Sequence, residues 1–309
     1  MALLFKGLPD NIDVWRRELT ALIPDLDMRV WPDVGDPAEI DVAFMFRPPH
    51  GEFLKYPNLR AILNLGVGVD PLLTDPDLPR HLPIARIVDP SLTSEMASYL
   101  VHSVLHYHRR FDHFRELQQQ KRWEYERPRG NASCRVGIMG LGVLGGGAAA
   151  TLRDLGFTVA GWSKSPKTIE AVQSFHGRDG LDAFLSRTDV LCCILPSTPE
   201  TKGLLNAALF SRLPKGARFI NIARGALVVE ADLLAALDSG HLAGATLDVF
   251  ATEPLPVESR FWDHPKVIVT PHVAGSTTPA TSAPIVAENI LRARAGKPLI
   301  NQIDVDAGY

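Results

Sequence analysis

Short apolar runs alternate with stretches of helical spacing along most of the chain. LLFK (3–6), DVAFMF (41–46) and LRAILNL (59–65) read as strands. NIDVWRRELTALI (11–23) reads as an amphipathic helix, with Asp10 or Asn11 as its N-cap. Repeated pairs of this kind build a parallel sheet flanked by helices. SEMASYLVHSVLHYHRRFDHFRELQQQ (94–120) lacks Pro and Gly and predicts one long helix, suited to bridging two domains. A second series begins at CRVGIMG (134–140) and continues through TVAGW (158–162), VLCCIL (190–195), ARFINI (217–222), GATLDVF (244–250) and VIVT (267–270). Between them EADLLAALDSG (230–240) predicts a helix closed by glycine. Six strands with right-handed crossovers describe a doubly wound nucleotide-binding domain. A last amphipathic stretch near 280–295 must pack somewhere, and the first domain is its natural place. The expected division is therefore 1–98 with 275–309 as one domain and 99–274 as the other, with a cleft between them.

Composition narrows the partners. Of 309 residues 46% are hydrophobic and 22% charged, an ordinary profile for a globular chain of two domains. Lys and Arg number 32 against 35 Asp and Glu, a net charge of −3, so no basic surplus points to nucleic acid or an anionic membrane. The cysteines are Cys134 and the adjacent pair Cys192 and Cys193. Neighbouring cysteines seldom bridge, which favours a reduced compartment. No basic segment followed by a long apolar core opens the chain, and no apolar run approaches the roughly 20 residues that cross a bilayer. The expectation is a cytoplasmic protein.

Three stretches carry chemistry. RVGIMGLGVLG places Gly140, Gly142 and Gly145 as G-x-G-x-x-G after a strand and at the start of a helix. In that setting the first glycine allows the tight turn, the second admits a pyrophosphate to the backbone, and the third lets helix and strand pack closely. An NAD site would carry an acid about 20 residues further on to hold the ribose 2′-hydroxyl. GWSKSPK instead offers Ser163, Lys164, Ser165 and Lys167, which suit a 2′-phosphate. NADP(H) is the expected cofactor, with NAD(H) as the alternative. Further on, Arg224 follows one strand, Asp248 and Glu253 the next, and His272 the one after. Taken alone, each has a plain structural reading: a surface ion pair, a strand-end cap, a backbone partner. An arginine, an acid and a histidine after three successive strands stand together at the sheet edge where open α/β sheets bind ligands.

With NIARGALV, LDVFATEPLP and TPHVAGST following the glycine fingerprint in this order, the chain resembles the D-isomer-specific 2-hydroxyacid dehydrogenases. LNLGVGVD (63–70) and TDVLCCILPSTPETKGLLN (188–206) extend the likeness over nearly the whole chain. HYHRRFD, LPSTPET, LLAALDSG, EPLP and the terminal GY are most similar to the glyoxylate/hydroxypyruvate reductase A subgroup. The resemblance implies two doubly wound parallel-sheet domains, a Rossmann-type cofactor domain and a flavodoxin-like substrate domain. It implies NADPH-dependent reduction of small 2-keto acids, with Arg224 on the substrate carboxylate and His272 as proton donor. Glu253 would orient the imidazole and favour its charged form. The cofactor would meet Val143, Leu144, Pro196 and Asp248 besides the glycines, with the His272 loop as the alternative contact for Asp248. The N–H groups of Val67 and Gly68 would hold the carboxylate from the first domain. Phe46 stands where the subgroup has a tryptophan-containing stretch, and Arg47 beside it is either a second carboxylate contact or a solvent-facing charge. D-Lactate-type reduction is the enzymatic alternative, and a dinucleotide-sensing, corepressor-like protein the non-enzymatic one. His102 and His106 share a helix face but lack a third metal ligand, and read as helix surface or dimer contact. Trp123 suggests a homodimer interface reaching the partner's site.

Overall fold

A computed structural model describes residues 1–8 and 11–305. Asp10 and the terminal Gly308-Tyr309 lie outside them. The described chain forms two compact units, Met1–Leu92 with the segment from Ser276 onward, and Thr93–Gly275. The strands of the first unit are β1 (Ala2–Lys6), β2 (Asp27–Val30), β3 (Ile40–Met45), β4 (Ala61–Asn64) and β5 (Ile84–Arg86). They pair in parallel in the order β2-β1-β3-β4-β5, the flavodoxin-like arrangement. The second unit holds β6 (Arg135–Met139), β7 (Thr158–Ser163), β8 (Gln173–His176), β9 (Val190–Cys193), β10 (Ala217–Asn221), β11 (Leu242–Leu247) and β12 (Val267–Val269). Their order, β12-β11-β10-β9-β6-β7-β8, is the Rossmann order extended by one strand. In chain order the helices are α1 (Ile12–Leu22), α2 (Asp70–Leu73), α3 (Pro90–His108), α4 (Phe111–Gln119), α5 (Val143–Asp154), α6 (Leu181–Ser186), α7 (Ala207–Phe210), α8 (Glu230–Asp238) and α9 (Pro279–Arg294). None is long and apolar enough to cross a membrane among the described residues.

Burial explains the elements. In the first unit Trp15 of α1 meets the Phe44 ring edge-on at 4.9 Å, with Phe5 5.6 Å from Phe44. Onto this core α9 lays Ala283, Val286, Ala287 and Ile290, all buried. Arg294 then fixes α9 to the sheet by forking onto Asp41 of β3 at 2.8 and 3.0 Å. In the second unit Phe184, Leu191, Phe219 and Leu233 centre the core. All three cysteines are buried and unbridged. Burial pushes the thiol of Cys134 up to about 11 and that of Cys193 up to about 12.

The periodicity falls short at three strands and one helix. β2, β5 and β8 carry no clear pattern, and each is the edge of its sheet. An edge strand is covered on fewer sides, so polar residues are tolerated, as in the largely exposed β8. The second sheet thus has seven strands rather than six. The stretch 94–120 is two helices, because Arg110 turns left-handed at φ +58°. Its guanidinium pairs with Glu126, which also faces His113, beside a break that no Gly or Pro signals. Asn11 precedes α1 without a side-chain cap bond.

Candidate active site

The glycine turn is built as its spacing requires. Gly140 takes φ +108°, closed to most L-residues. A Cβ on Gly145 would lie 1.7 Å from the Gly140 carbonyl oxygen, so only glycine lets α5 start this close to β6. A Cβ on Gly142 would meet nothing within 4 Å, leaving open space over the first turn of α5. Val143 is exposed there and Leu144 half-buried. These residues fit a pyrophosphate on the helix N-terminus. Beyond β7, Lys164, Ser165 and Lys167 are exposed. Ser163 is buried and donates its hydroxyl to the Ser165 carbonyl at 2.7 Å. It shapes the turn rather than presenting a hydroxyl to solvent. Pro196 is exposed after β9, its carbonyl accepting from Thr201 at 2.7 Å.

The loops after β10, β11 and β12 are stitched together. Gly225 approaches so closely that a Cβ there would sit 1.8 Å from the Phe250 carbonyl carbon. Glu230 accepts the Ala251 N–H at 3.0 Å. Glu253 accepts the Phe250 N–H at 3.1 Å through Oε1, and its Oε2 lies 2.8 Å from Nδ1 of His272. His272 has φ +58°, left-handed and uncommon for a residue with a side chain. Asp248 holds it there. Only 1% exposed, its carboxylate accepts from Thr270 Oγ1 at 2.6 Å, Val273 N at 2.8 Å and Ala274 N at 2.9 Å. Its carbonyl accepts the His272 N–H at 2.9 Å. Asp248 thus lies beneath the histidine loop. Arg224 stands in extended backbone before a short 3-10 turn, with Nη1 donating to the Ala223 carbonyl at 2.7 Å.

In the first unit the loop after β4 carries Val67 and Gly68. The Asn64 amide donates to the carbonyls of Gly66 at 2.9 Å and Gly68 at 3.1 Å. Across a trans peptide N–H and C=O point opposite ways, so the Val67 N–H is turned away from Asn64. Among the described residues neither Val67 nor Gly68 donates its N–H to a backbone carbonyl. After β3, Phe46 packs its ring against the core, with the Arg47 guanidinium 5.3 Å from the ring centre. Lys6 donates to the carbonyls of both residues at 2.9 Å.

A family model for the D-isomer specific 2-hydroxyacid dehydrogenase NAD binding domain matches residues 101–274. The chain belongs to the D-isomer-specific 2-hydroxyacid dehydrogenase family. This dehydrogenase is 43% identical over 304 residues to glyoxylate/hydroxypyruvate reductase A of Serratia proteamaculans, covering 97% of each chain. It is similar in structure to a D-isomer specific 2-hydroxyacid dehydrogenase from Xanthobacter autotrophicus in complex with NADPH and MES, with a TM-score of 0.96 and 47% identity over 100% of this chain and 99% of that one. An NADPH-dependent glyoxylate/hydroxypyruvate reductase from Sinorhizobium meliloti, in complex with NADP and sulfate, aligns over 100% of both chains at a TM-score of 0.93 and 39% identity.

Two residues that hold the dehydrogenase's loops escape a reading of motifs. Asn64 ends β4 and Asn221 ends β10, each an amide at the close of an apolar run. Asn221, wholly buried, donates to the Arg224 carbonyl and accepts the Ala223 N–H, both at 3.1 Å. A carboxamide can both donate and accept, so it clamps a departing loop in a way no apolar residue could. The available signal is the lone asparagine in AILN and ARFIN.

Proposed function

We propose that this dehydrogenase reduces small 2-keto acids, glyoxylate and hydroxypyruvate among them, using NADP(H), with His272 as proton donor. The observation that carries the reading is the 2.8 Å contact between Glu253 and His272 on a loop system that also bears Arg224. An ionised carboxylate only accepts, so Glu253 fixes a proton on Nδ1 and leaves Nε2 to face the substrate oxygen. Arg224 forks onto the substrate carboxylate and draws electron density from the adjacent keto group. In the substrate domain the N–H groups of Val67 and Gly68 serve as anion donors, with Phe46 and Arg47 as further substrate contacts. The bound cofactor supplies hydride to the keto carbon. Gly140, Gly142, Val143, Leu144 and Gly145 cradle its pyrophosphate, and Lys164, Ser165 and Lys167 meet the 2′-phosphate. The names of the Serratia and Sinorhizobium relatives support the substrate class, and the loop without an acid supports NADP(H).

The working form in this reading is a homodimer in the cytoplasm. Trp123 is 99% exposed and Tyr125 83% exposed, a pair of aromatics suited to a second copy of the chain. Three unbridged thiols suit a reducing compartment. Initial rates with NADPH and NADH against glyoxylate, hydroxypyruvate, pyruvate and phenylpyruvate test the activity. The expectation is turnover of the first two, faster with NADPH. Preference for pyruvate would favour the D-lactate reading, and no turnover of any would refute the proposal. Sedimentation of a monomer would remove the dimer.

A further inference from the structure

Helix α3 carries two tyrosines, Tyr99 and Tyr107, eight residues apart and so on one face. Each reaches a threonine in the same unit. Tyr107 Oη lies 2.8 Å from Thr246 Oγ1, inside β11. Tyr99 Oη lies 2.6 Å from Thr270 Oγ1, at the root of the His272 loop. The chemistry of the two contacts is alike, but their surroundings differ. Thr270 also donates to Asp248 at 2.6 Å, and Asp248 receives the N–H groups of Val273 and Ala274.

Counting protons gives the second chain a direction. Both carboxylate oxygens of Asp248 accept from the loop, and the single hydroxyl proton of Thr270 goes to one of them at 2.6 Å. The proton between Tyr99 and Thr270 therefore belongs to Tyr99. Burial pushes the Tyr99 phenol up to about 12, so it stays a donor at any ordinary assay pH. Donation from Tyr99 polarises the Thr270 hydroxyl and strengthens its bond to Asp248. It also fixes the rotamer of Thr270, two residues before His272. At φ +58° the histidine backbone persists only because its surroundings over-determine it.

We infer that Tyr99 is a positioning residue for the proton donor: through Thr270 and Asp248 it sets the orientation of the His272 loop, whereas Tyr107 only anchors helix to sheet. The inference rests on the reading of His272 as the acid. Its test compares Tyr99→Phe with Tyr107→Phe, which make the same chemical change on the same helix. Tyr99→Phe should lower kcat for glyoxylate about 5- to 10-fold, the worth of one hydrogen bond. KM for glyoxylate and Kd for NADPH should stay within about 2-fold. Tyr107→Phe should lower Tm and leave kcat in place. Thr270→Val should reproduce or exceed the Tyr99→Phe loss, and Thr270→Ser should restore most of it.

Coupling to the histidine separates positioning from general weakening. In a His272→Asn background, with its residual rate measured in single turnovers, Tyr99→Phe should cost nothing further, because there is no proton donor left to orient. An additive loss in that background would overturn the inference, as would equal kcat losses in Tyr99→Phe and Tyr107→Phe. If Tyr99→Phe fails to fold, Thr270→Val against Thr270→Ser carries the same comparison, and equal rates in that pair would overturn it. A His272→Asn variant with near-normal rate would instead refute the proton-donor reading itself.

Discussion

Gly225 has no role in binding or proton transfer, yet replacing it with alanine should cost about 100-fold in kcat/KM. The new methyl would lie 1.8 Å from the carbonyl carbon of Phe250, 2.1 Å from its oxygen and 2.2 Å from the nitrogen of Ala251. All three are backbone atoms, so no side chain can swing aside. Ordinary contact begins near 3.4 Å, so the loops must part by about 1.6 Å. One of them carries Arg224 and the other ends in Glu253. Displacement of reacting groups by about 1 Å costs on the order of 100-fold. Overpacking should add roughly 1–3 kcal/mol of destabilisation, a fall in Tm of several degrees. The glycine turn after β6 lies on other loops, so the Kd for NADPH, read by fluorescence, should hold within about 2-fold. Steady-state kinetics on glyoxylate are the assay, with Gly130→Ala as comparator because a Cβ there meets nothing within 4 Å. A folded Gly225→Ala enzyme with kcat/KM within about 3-fold of the parent would refute this account of how Arg224 and Glu253 are held.

Asp248→Asn sets an amide N–H against that of Ala274, now 2.9 Å from the carboxylate. An unmet donor of that kind costs about 1–3 kcal/mol, so kcat should fall about 10-fold or more, and unchanged turnover would show the loop needs no such anchor. Lys164→Ala with Lys167→Ala should raise the KM for NADPH about 10- to 100-fold and leave that for NADH in place. Equal effects on both cofactors would argue against 2′-phosphate recognition. Native protein should resist Ellman's reagent and release three thiols on unfolding, because burial both hides the thiols and pushes their ionisation upward. Rapid labelling of the native protein would contradict that.

Legibility in the sequence followed burial. Central strands such as β3 and β10 are covered on both faces, and their apolar runs were readable. The edge strands β2, β5 and β8 were not, because a strand with one neighbour needs no continuous apolar run, although the fourth edge, β12, keeps one in VIV. The break at Arg110 lies at a left-handed residue that is neither Gly nor Asn, so no local pattern encodes it. The glycines, Arg224, Glu253 and His272 stood out because their residue types are uncommon in those settings. Ser163 shares such a setting after β7, but its hydroxyl is committed to the Ser165 carbonyl. The asparagines that clamp the loops were least visible, since what they do depends on where a departing backbone turns.

The placement of α9 has a consequence for synthesis. Its apolar residues complete the core around Trp15 and Phe44, but they are translated after the whole of Thr93–Gly275. At about 5–20 residues per second, that intervening stretch occupies the ribosome for roughly 10–40 s. The contiguous second unit can close its core in that interval, while the unit begun first waits for its last helix. The nascent chain therefore reverses the usual order of domain completion, and through that interval the apolar face that α9 later covers stays open.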